Sequence, residues 1–278
     1  MIDIIRTFRR GPIRSVLFDF DGTLSLIREG WQEVMVSFMT EILHTLDPCS
    51  PEEELRTYVS EYVTRLTGKQ TIYQMIQLAD EVRVRGGDPE DPLVYKHLYH
   101  DRLWERIQDR IEGLRSGGYR PDDWLVPGSL AILENLRDRG IQMFLASGTD
   151  EVFVKREADL LGLTPYFDGR IYGAQDQYRL FSKKMVIQRV LSEENLKGSE
   201  FVGFGDGYVE IENTKEVGGV AVGVATEERL RSGIIDQWKH ERLITAGADV
   251  IIPDFAEQER VVAYLSGEID QEHLCRMV

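Results

Sequence analysis

Between Arg14 and Phe20 the chain runs through Val16, Leu17 and Phe18 almost without a polar interruption, the pattern of a short strand buried on both faces. From about Ser25 to Arg120 the period changes. Trp31, Val34, Phe38, Ile42 and Leu46 recur at helical spacing, as do Leu55, Tyr58, Val59 and Tyr62. Met75, Ile76 and Ala79 predict a third helix and Leu103, Ile107 and Ile111 a fourth, before the turn-rich Ser116-Gly117-Gly118-Tyr119-Arg120-Pro121.

Beyond this helical stretch, strands and helices alternate. Pro127-Gly128 opens a helix through Leu130, Leu133 and Leu136 that stops at Arg139-Gly140. A strand over 141–146 ends in Ser147-Gly148-Thr149. A helix around Val152 to Leu161 and another from Lys183 to Leu191 follow, then a strand over 200–204 that ends in Gly205-Asp206-Gly207. Val220 to Ala225 and Ala248 to Ile252 supply two more strands. Between them, Leu230, Ile234 and Trp238 predict an amphipathic helix within Thr226–Gly247, to which no role is assigned. The alternation predicts an α/β fold, a Rossmann-like doubly wound parallel sheet with helices on both faces. The expected division is a catalytic core over 12–25 and 122–278 and an all-helical cap inserted at 26–121.

Composition narrows the function more than the fold. With 278 residues, 42% hydrophobic and 29% charged, the chain has the make-up of an ordinary globular protein. No apolar run approaches the roughly 18 residues that cross a bilayer, and no signal peptide is legible, so a cytoplasmic protein without a membrane partner is expected. The net charge of −15 argues against nucleic acid as a partner but not against a small anion, since a metal ion or a lysine reverses the field within one cleft. Cys49 and Cys275 stand far apart and are expected to be reduced thiols. His97 and His100 share a helical face, where a packed or solvated pair is favoured over a metal site.

The candidate chemistry lies at three strand tips. In SVLFDFDGTLS, Asp19 and Asp21 stand two residues apart, so an extended chain puts both on one face. Two like charges so close are costly unless a cation or hydrogen bonds compensate; the competing interpretation is a plain Asp-Gly turn. Asp206 with Glu210, and Ser147-Gly148-Thr149, mark the other two tips. Ligands of open parallel sheets bind beyond the carboxyl ends of the strands, where these tips converge, and a carboxylate cluster there suits Mg²⁺, a hard cation that prefers oxygen ligands.

With these motifs in order (DFDGT at 19–23, a strand ending in Ser147, a helix-opening lysine near 183, GDGxxE at 206–210) the chain resembles the haloacid dehalogenase superfamily of aspartate-nucleophile hydrolases. A helical insert directly after the first motif resembles the cap of its phosphoglycolate phosphatase and β-phosphoglucomutase branch. The resemblance implies that Asp19 attacks phosphorus and that Asp21 is the acid/base. It implies Mg²⁺ held by Asp19, the Asp21 carbonyl and Asp206, with Glu210 in or near the metal shell. Ser147 would bind a phosphoryl oxygen with help from Gly148, and Thr23 would bond across the Gly22 turn. The lysine is Lys183 or Lys184; Val186 and Ile187, three and four positions on, favour Lys183. Arg65, Lys69 and Gln70 lie on a candidate specificity loop, with Lys69 the first choice for touching substrate, and Arg28 is a further candidate. GFGDGY at 203–208 lacks the final glycine of a dinucleotide loop.

The function so implied is a Mg²⁺-dependent phosphatase acting on a small phosphorylated metabolite. An intramolecular phosphomutase is the alternative, and a noncatalytic binding domain a third that the full set of polar tips argues against.

Overall fold

The computed structural model describes residues 2–272. One sheet of seven strands organises it: β1 (Asp3–Ile4), β2 (Ser15–Phe18), β3 (Gln142–Asp150), β4 (Ile171–Ala174), β5 (Phe201–Gly205), β6 (Val220–Val224) and β7 (Val250–Ile252). Their order across the sheet is β1-β7-β6-β5-β2-β3-β4, parallel throughout except for β1, which pairs antiparallel with β7. This is the expected α/β architecture. The central strand β2 is buried on both faces, which explains why it reads as a continuous apolar run rather than an alternation.

Register sets the site. Phe18 of β2 is level with Phe204 of β5 on one side and Leu145 of β3 on the other. The Phe18 and Phe204 rings stack at 4.9 Å with Phe255 edge-on to both. The carboxyl ends of β2, β3 and β5 therefore lie along one edge, where the Asp19 N–H still donates to the Phe204 carbonyl at 2.9 Å.

After β2 the chain runs through four helices before it returns toward the sheet: α1 (Trp31–Leu46), α2 (Glu52–Arg65), α3 (Thr71–Val84) and α4 (Pro92–Ser116). They form the helical cap. α4 shows how its limits are encoded: the Asp91 side chain caps the Leu93 N–H at 2.8 Å, Pro92 occupies the first turn, and Gly117 ends the helix at φ 75°. Its Tyr99, Leu103, Ile107, Ile111 and Leu114 lie buried along one stripe. In α1 the buried side chains are Met35, Val36, Phe38, Met39, Thr40 and Leu43; of the predicted stripe Phe38 is buried, and Trp31, Val34 and Ile42 pack partly buried against the same core.

The remaining helices are α5 (Ser129–Asp138), α6 (Glu151–Leu160), the single turn α7 (Thr164–Phe167), α8 (Lys183–Glu193), α9 (Tyr208–Glu216), α10 (Gln237–Ala246) and α11 (Gln258–Leu265). Among the described residues, no helix is long and apolar enough to cross a membrane. Cys49 is an exposed thiol, and Cys275 lies outside the described residues.

Three expectations need correction. The strand at 141–146 does not end before Ser147: it continues to Asp150, which pairs with Ala174 after a register shift. The short strands β1 and β4 are additional to those expected. The helix predicted through Leu230, Ile234 and Trp238 is absent over its first half. The chain there folds back, Thr226 bridging to Ile235 with Gly233 at φ 70°, and the helix starts only at Gln237, after the Asp236 side chain caps the Lys239 N–H at 2.9 Å. Leu230 and Ile234 are left 76% and 67% exposed.

Candidate active site

The three tips meet at a cavity of about 310 Å³ between sheet edge and cap. Asp19, at the end of β2, is 5% exposed, and its Oδ1 lies 2.7 Å from the Lys183 ammonium. Lys183 is the first residue of α8, whose start is set by the Ser182 hydroxyl accepting from the Met185 N–H. Lys184, the alternative, points outward to Glu216 at 2.6 Å. Lys183 also contacts Glu210 Oε1. Glu210 is fully buried, and its Oε2 has no hydrogen-bond partner among the described residues. The geometry gives Glu210 the lysine as partner and a place outside the cavity lining, where the sequence suggested the metal shell.

Asp21 is held differently. Its Oδ2 accepts from the Thr149 hydroxyl at 2.8 Å and lies 3.3 Å from the Ser147 hydroxyl, which itself accepts from the Thr149 N–H at 3.0 Å. Because β3 stays extended past Ala146, Ser147 and Thr149 fall on the same side two residues apart. Sequence reasoning singled out Ser147 and overlooked Thr149, which the period of two would have offered. On the other side, Arg28 Nε stands 3.8 Å from Asp21 Oδ1. Arg28 is bound by both its Nε and Nη2 to the fully buried Glu157 of α6, at 2.9 and 2.8 Å, and lies over the Phe153 ring. Burial pushes the Asp21 carboxyl up to about 7; Arg28 opposes this, while Glu157 and Asp19 add to it.

Asp206 follows β5, and its Oδ2 lies 3.0 Å from the Lys239 ammonium. Lys239, from α10, is buried and binds Glu228 at 2.6 Å as well. Neither residue was singled out from sequence: both come from the stretch that lacked an assigned role, and no local pattern links them to Asp206. Gly22 leaves room for this group. A Cβ there, at φ 75°, would stand 2.4 Å from Asp206 Oδ2 and 3.1 Å from Glu228 Oε1.

The cap closes the cavity through the loop between α2 and α3. A Cβ on Gly148 would lie 2.6 Å from the Lys69 carbonyl, so the absent side chain lets this loop lie directly over the tip of β3. Gln70 is buried and donates to the Tyr178 and Phe181 carbonyls at 3.0 and 2.7 Å, which makes it a strut from cap to core. Lys69 lines the cavity with an exposed side chain, whereas Arg65 does not reach it. Thr23 is fully buried, lies outside the lining and leaves its Oγ1 without a partner among the described residues. His97 is exposed, while burial drives the His100 imidazole down to about 3.

Among the described residues no three His, Cys, Asp or Glu side chains are grouped to hold a metal. Asp19 and Asp206 both line the cavity. Burial pushes Asp19 above the usual carboxylate range, Lys183 opposes, and the Asp206 charge raises it further. A donor set of two carboxylates on one cavity fits Mg²⁺, which takes one or two of them and completes its shell with water and phosphate rather than an all-protein cage.

The model of the haloacid dehalogenase-like hydrolases matches residues 13–218. The chain belongs to that family. Its solved structural neighbours include a β-phosphoglucomutase from Clostridium difficile, with 13% identity, TM-score 0.62, and coverage of 92% of this chain and 98% of that one. A predicted phosphatase from Clostridium acetobutylicum is 20% identical, with TM-score 0.58 and coverage of 91% and 99%. A predicted phosphoglycolate phosphatase from Haemophilus somnus is 16% identical, with TM-score 0.57 and coverage of 90% and 98%. At such identities these neighbours speak for the fold. A search of curated proteins finds no significant match. As a haloacid dehalogenase-like hydrolase, the chain has a family in which Mg²⁺ is the general cofactor.

Proposed function

We propose that the chain is a phosphatase that hydrolyses a small phosphomonoester with Mg²⁺, through an aspartyl phosphate on Asp19. The observation that carries this is one cavity holding a carboxylate against a buried lysine, Asp19 with Lys183, and beside it a carboxyl held by two hydroxyls, Asp21 with Thr149 and Ser147.

The ionised Asp19 attacks phosphorus through one oxygen, and the bond to the leaving alcohol breaks. Asp21 gives its proton to that alcohol, then takes a proton from the water that attacks the aspartyl phosphate, which returns Asp19 and releases phosphate. A carboxyl raised to about 7 suits both steps at neutral pH. Lys183 offsets charge on Asp19 and on the phosphoryl group, Glu210 orients Lys183, and Ser147 and Thr149 hold the Asp21 carboxyl in place through its Oδ2. Asp19, Asp206 and the Asp21 carbonyl would hold Mg²⁺, which would supply the positive charge that lets a carboxylate approach a phosphate. A cavity of about 310 Å³ suits a metabolite-sized ester.

The test is release of inorganic phosphate from a panel of phosphorylated metabolites. Wild type is expected to turn over only with Mg²⁺, to stop in EDTA, and to lose essentially all turnover as Asp19→Asn, whose amide is a poor nucleophile. Full activity in EDTA, or Mg²⁺-dependent hydrolysis by Asp19→Asn, would sink the mechanism. Isomer formation from a hexose 1-phosphate without phosphate release would establish the phosphomutase instead.

A further inference from the structure

The cations of the cavity wall are not all accounted for by this chemistry. Lys183 is taken by Asp19 and Glu210, Lys239 by Asp206 and Glu228, and Arg28 by Glu157. Arg242 of α10 also lines the cavity, and among the described residues no carboxylate comes within 4.0 Å of it. Its guanidinium lies flat against Trp238, 4.4 Å from the ring centre. Its Nη2 donates to the Thr64 carbonyl at the end of α2, at 2.9 Å. Its Nη1 is closed off from solvent and has no partner among the described residues.

A guanidinium in this setting has one face covered, one edge used and one edge with unpaired donors. Burial works against its charge, with Asp206 and then Tyr208 working the other way. A desolvated N–H of a charged group is costly to leave unmade, and the planar fork of arginine matches carboxylate and phosphate oxygens. The phosphoryl group that reacts already has Asp19, Ser147 and Lys183, so an anion on Arg242 belongs to another part of the substrate.

We propose that Arg242 forms a subsite for a second anionic group, a carboxylate or a further phosphate, on the leaving-group side of the substrate. This deepens the phosphatase assignment and rests on it. Because Nη2 holds the Thr64 carbonyl and the side chain lines the cavity, Arg242 joins α10 both to the cap and to the space a substrate would fill. It is a binding and specificity residue, and it takes no part in bond making.

Two phosphonates that cannot be hydrolysed test this: methylphosphonate, with one anionic group, and phosphonoacetate, with a carboxylate besides. Calorimetric titration of the full chain in Mg²⁺ is expected to show phosphonoacetate bound about 10- to 100-fold more tightly by wild type, the size of one charge-assisted contact. In Arg242→Gln that ratio is expected to fall close to one, and in Arg242→Lys to an intermediate value. Turnover should follow, with the kcat/KM preference for carboxylated esters over phenyl phosphate shrinking by a similar factor. Equal binding of the two phosphonates by wild type, or a ratio that survives in Arg242→Gln, overturns the subsite while leaving the phosphatase assignment standing. Failure of wild type to bind either one overturns both. If Arg242→Gln melts early, Arg242→Lys carries the test: a full wild-type ratio in it argues for charge alone and overturns the role of the fork.

Discussion

At the residue scale the site separates two carboxyls of one motif by their surroundings. Burial pushes both up; at Asp19 the Lys183 ammonium works against this. Asp21 is raised to about 7 with Arg28 and the Thr149 hydroxyl opposing, which makes its proton available near neutral pH. Asp21→Asn keeps the hydrogen-bonding shape but carries no transferable proton. Turnover is expected to fall by about 10²- to 10⁴-fold while methylphosphonate still binds; a loss below tenfold would remove Asp21 from proton transfer. His100 gives a pH prediction away from the chemistry. It packs edge-on to Phe153 near Arg28 and Lys96, and the nearest acid, Asp150 at 4.0 Å, is already bound by Lys96 at 2.8 Å. Burial, Arg28, Lys96 and His97 lower its pKa from 6.5 to about 3. The folded state thus holds the ring neutral, so its contribution is present above 6.5 and lost as pH falls toward 3. Between pH 7 and pH 5 this group is expected to withdraw about 2 kcal/mol of stability. Urea melts at the two pH values should show a smaller drop in His100→Gln; an equal drop would mean that the ring is protonated in the fold.

At the element scale, legibility followed locality. Asp19, Asp21, Ser147 and Asp206 were readable because each follows a short apolar run whose end can be seen in the chain itself. Lys183 was separable from Lys184 by two apolar neighbours, a property of one helix face. Pairings that span elements were not readable: Arg28 with Glu157 is 129 positions apart, and Lys239 with Asp206 depends on where α10 docks. The two-residue strand β1 is too short to carry a pattern at all. Exposed Leu230 and Ile234 misled for a related reason, since helical spacing cannot distinguish a buried stripe from apolar residues on a folded-back loop. The loop between α2 and α3 yields its own prediction. Gly148→Ala puts a methyl 2.6 Å from the Lys69 carbonyl, a backbone atom that cannot rotate away. The loop must lift, and kcat/KM is expected to drop at least about tenfold, as displaced positioning groups do. Unchanged kinetics would show that the cap closes without resting on Gly148.

At the scale of the whole molecule, cap and core are joined by few but buried polar ties. Lys96 of α4 is 1% exposed and binds Asp150 at the tip of β3, and Gln70 and Arg242 add contacts to backbone carbonyls. Removing one partner of such a pair leaves the other desolvated and alone. Lys96→Met is expected to cost about 2–4 kcal/mol in urea denaturation, and to add much less when Asp150 is already Asn. Full additivity in the double variant would show that the pair is no tie. The family match ends at residue 218, and α10 begins at Gln237. Yet α10 supplies the lysine on Asp206 and the arginine on the cap. On the proposed Arg242 subsite, part of the selectivity is written beyond the length that the family model matches, in the same helix as the lysine that holds Asp206. Exchange of the 226–247 stretch between relatives is then expected to change what the cleft admits, while Asp19 and Asp21, which lie outside it, stay in place.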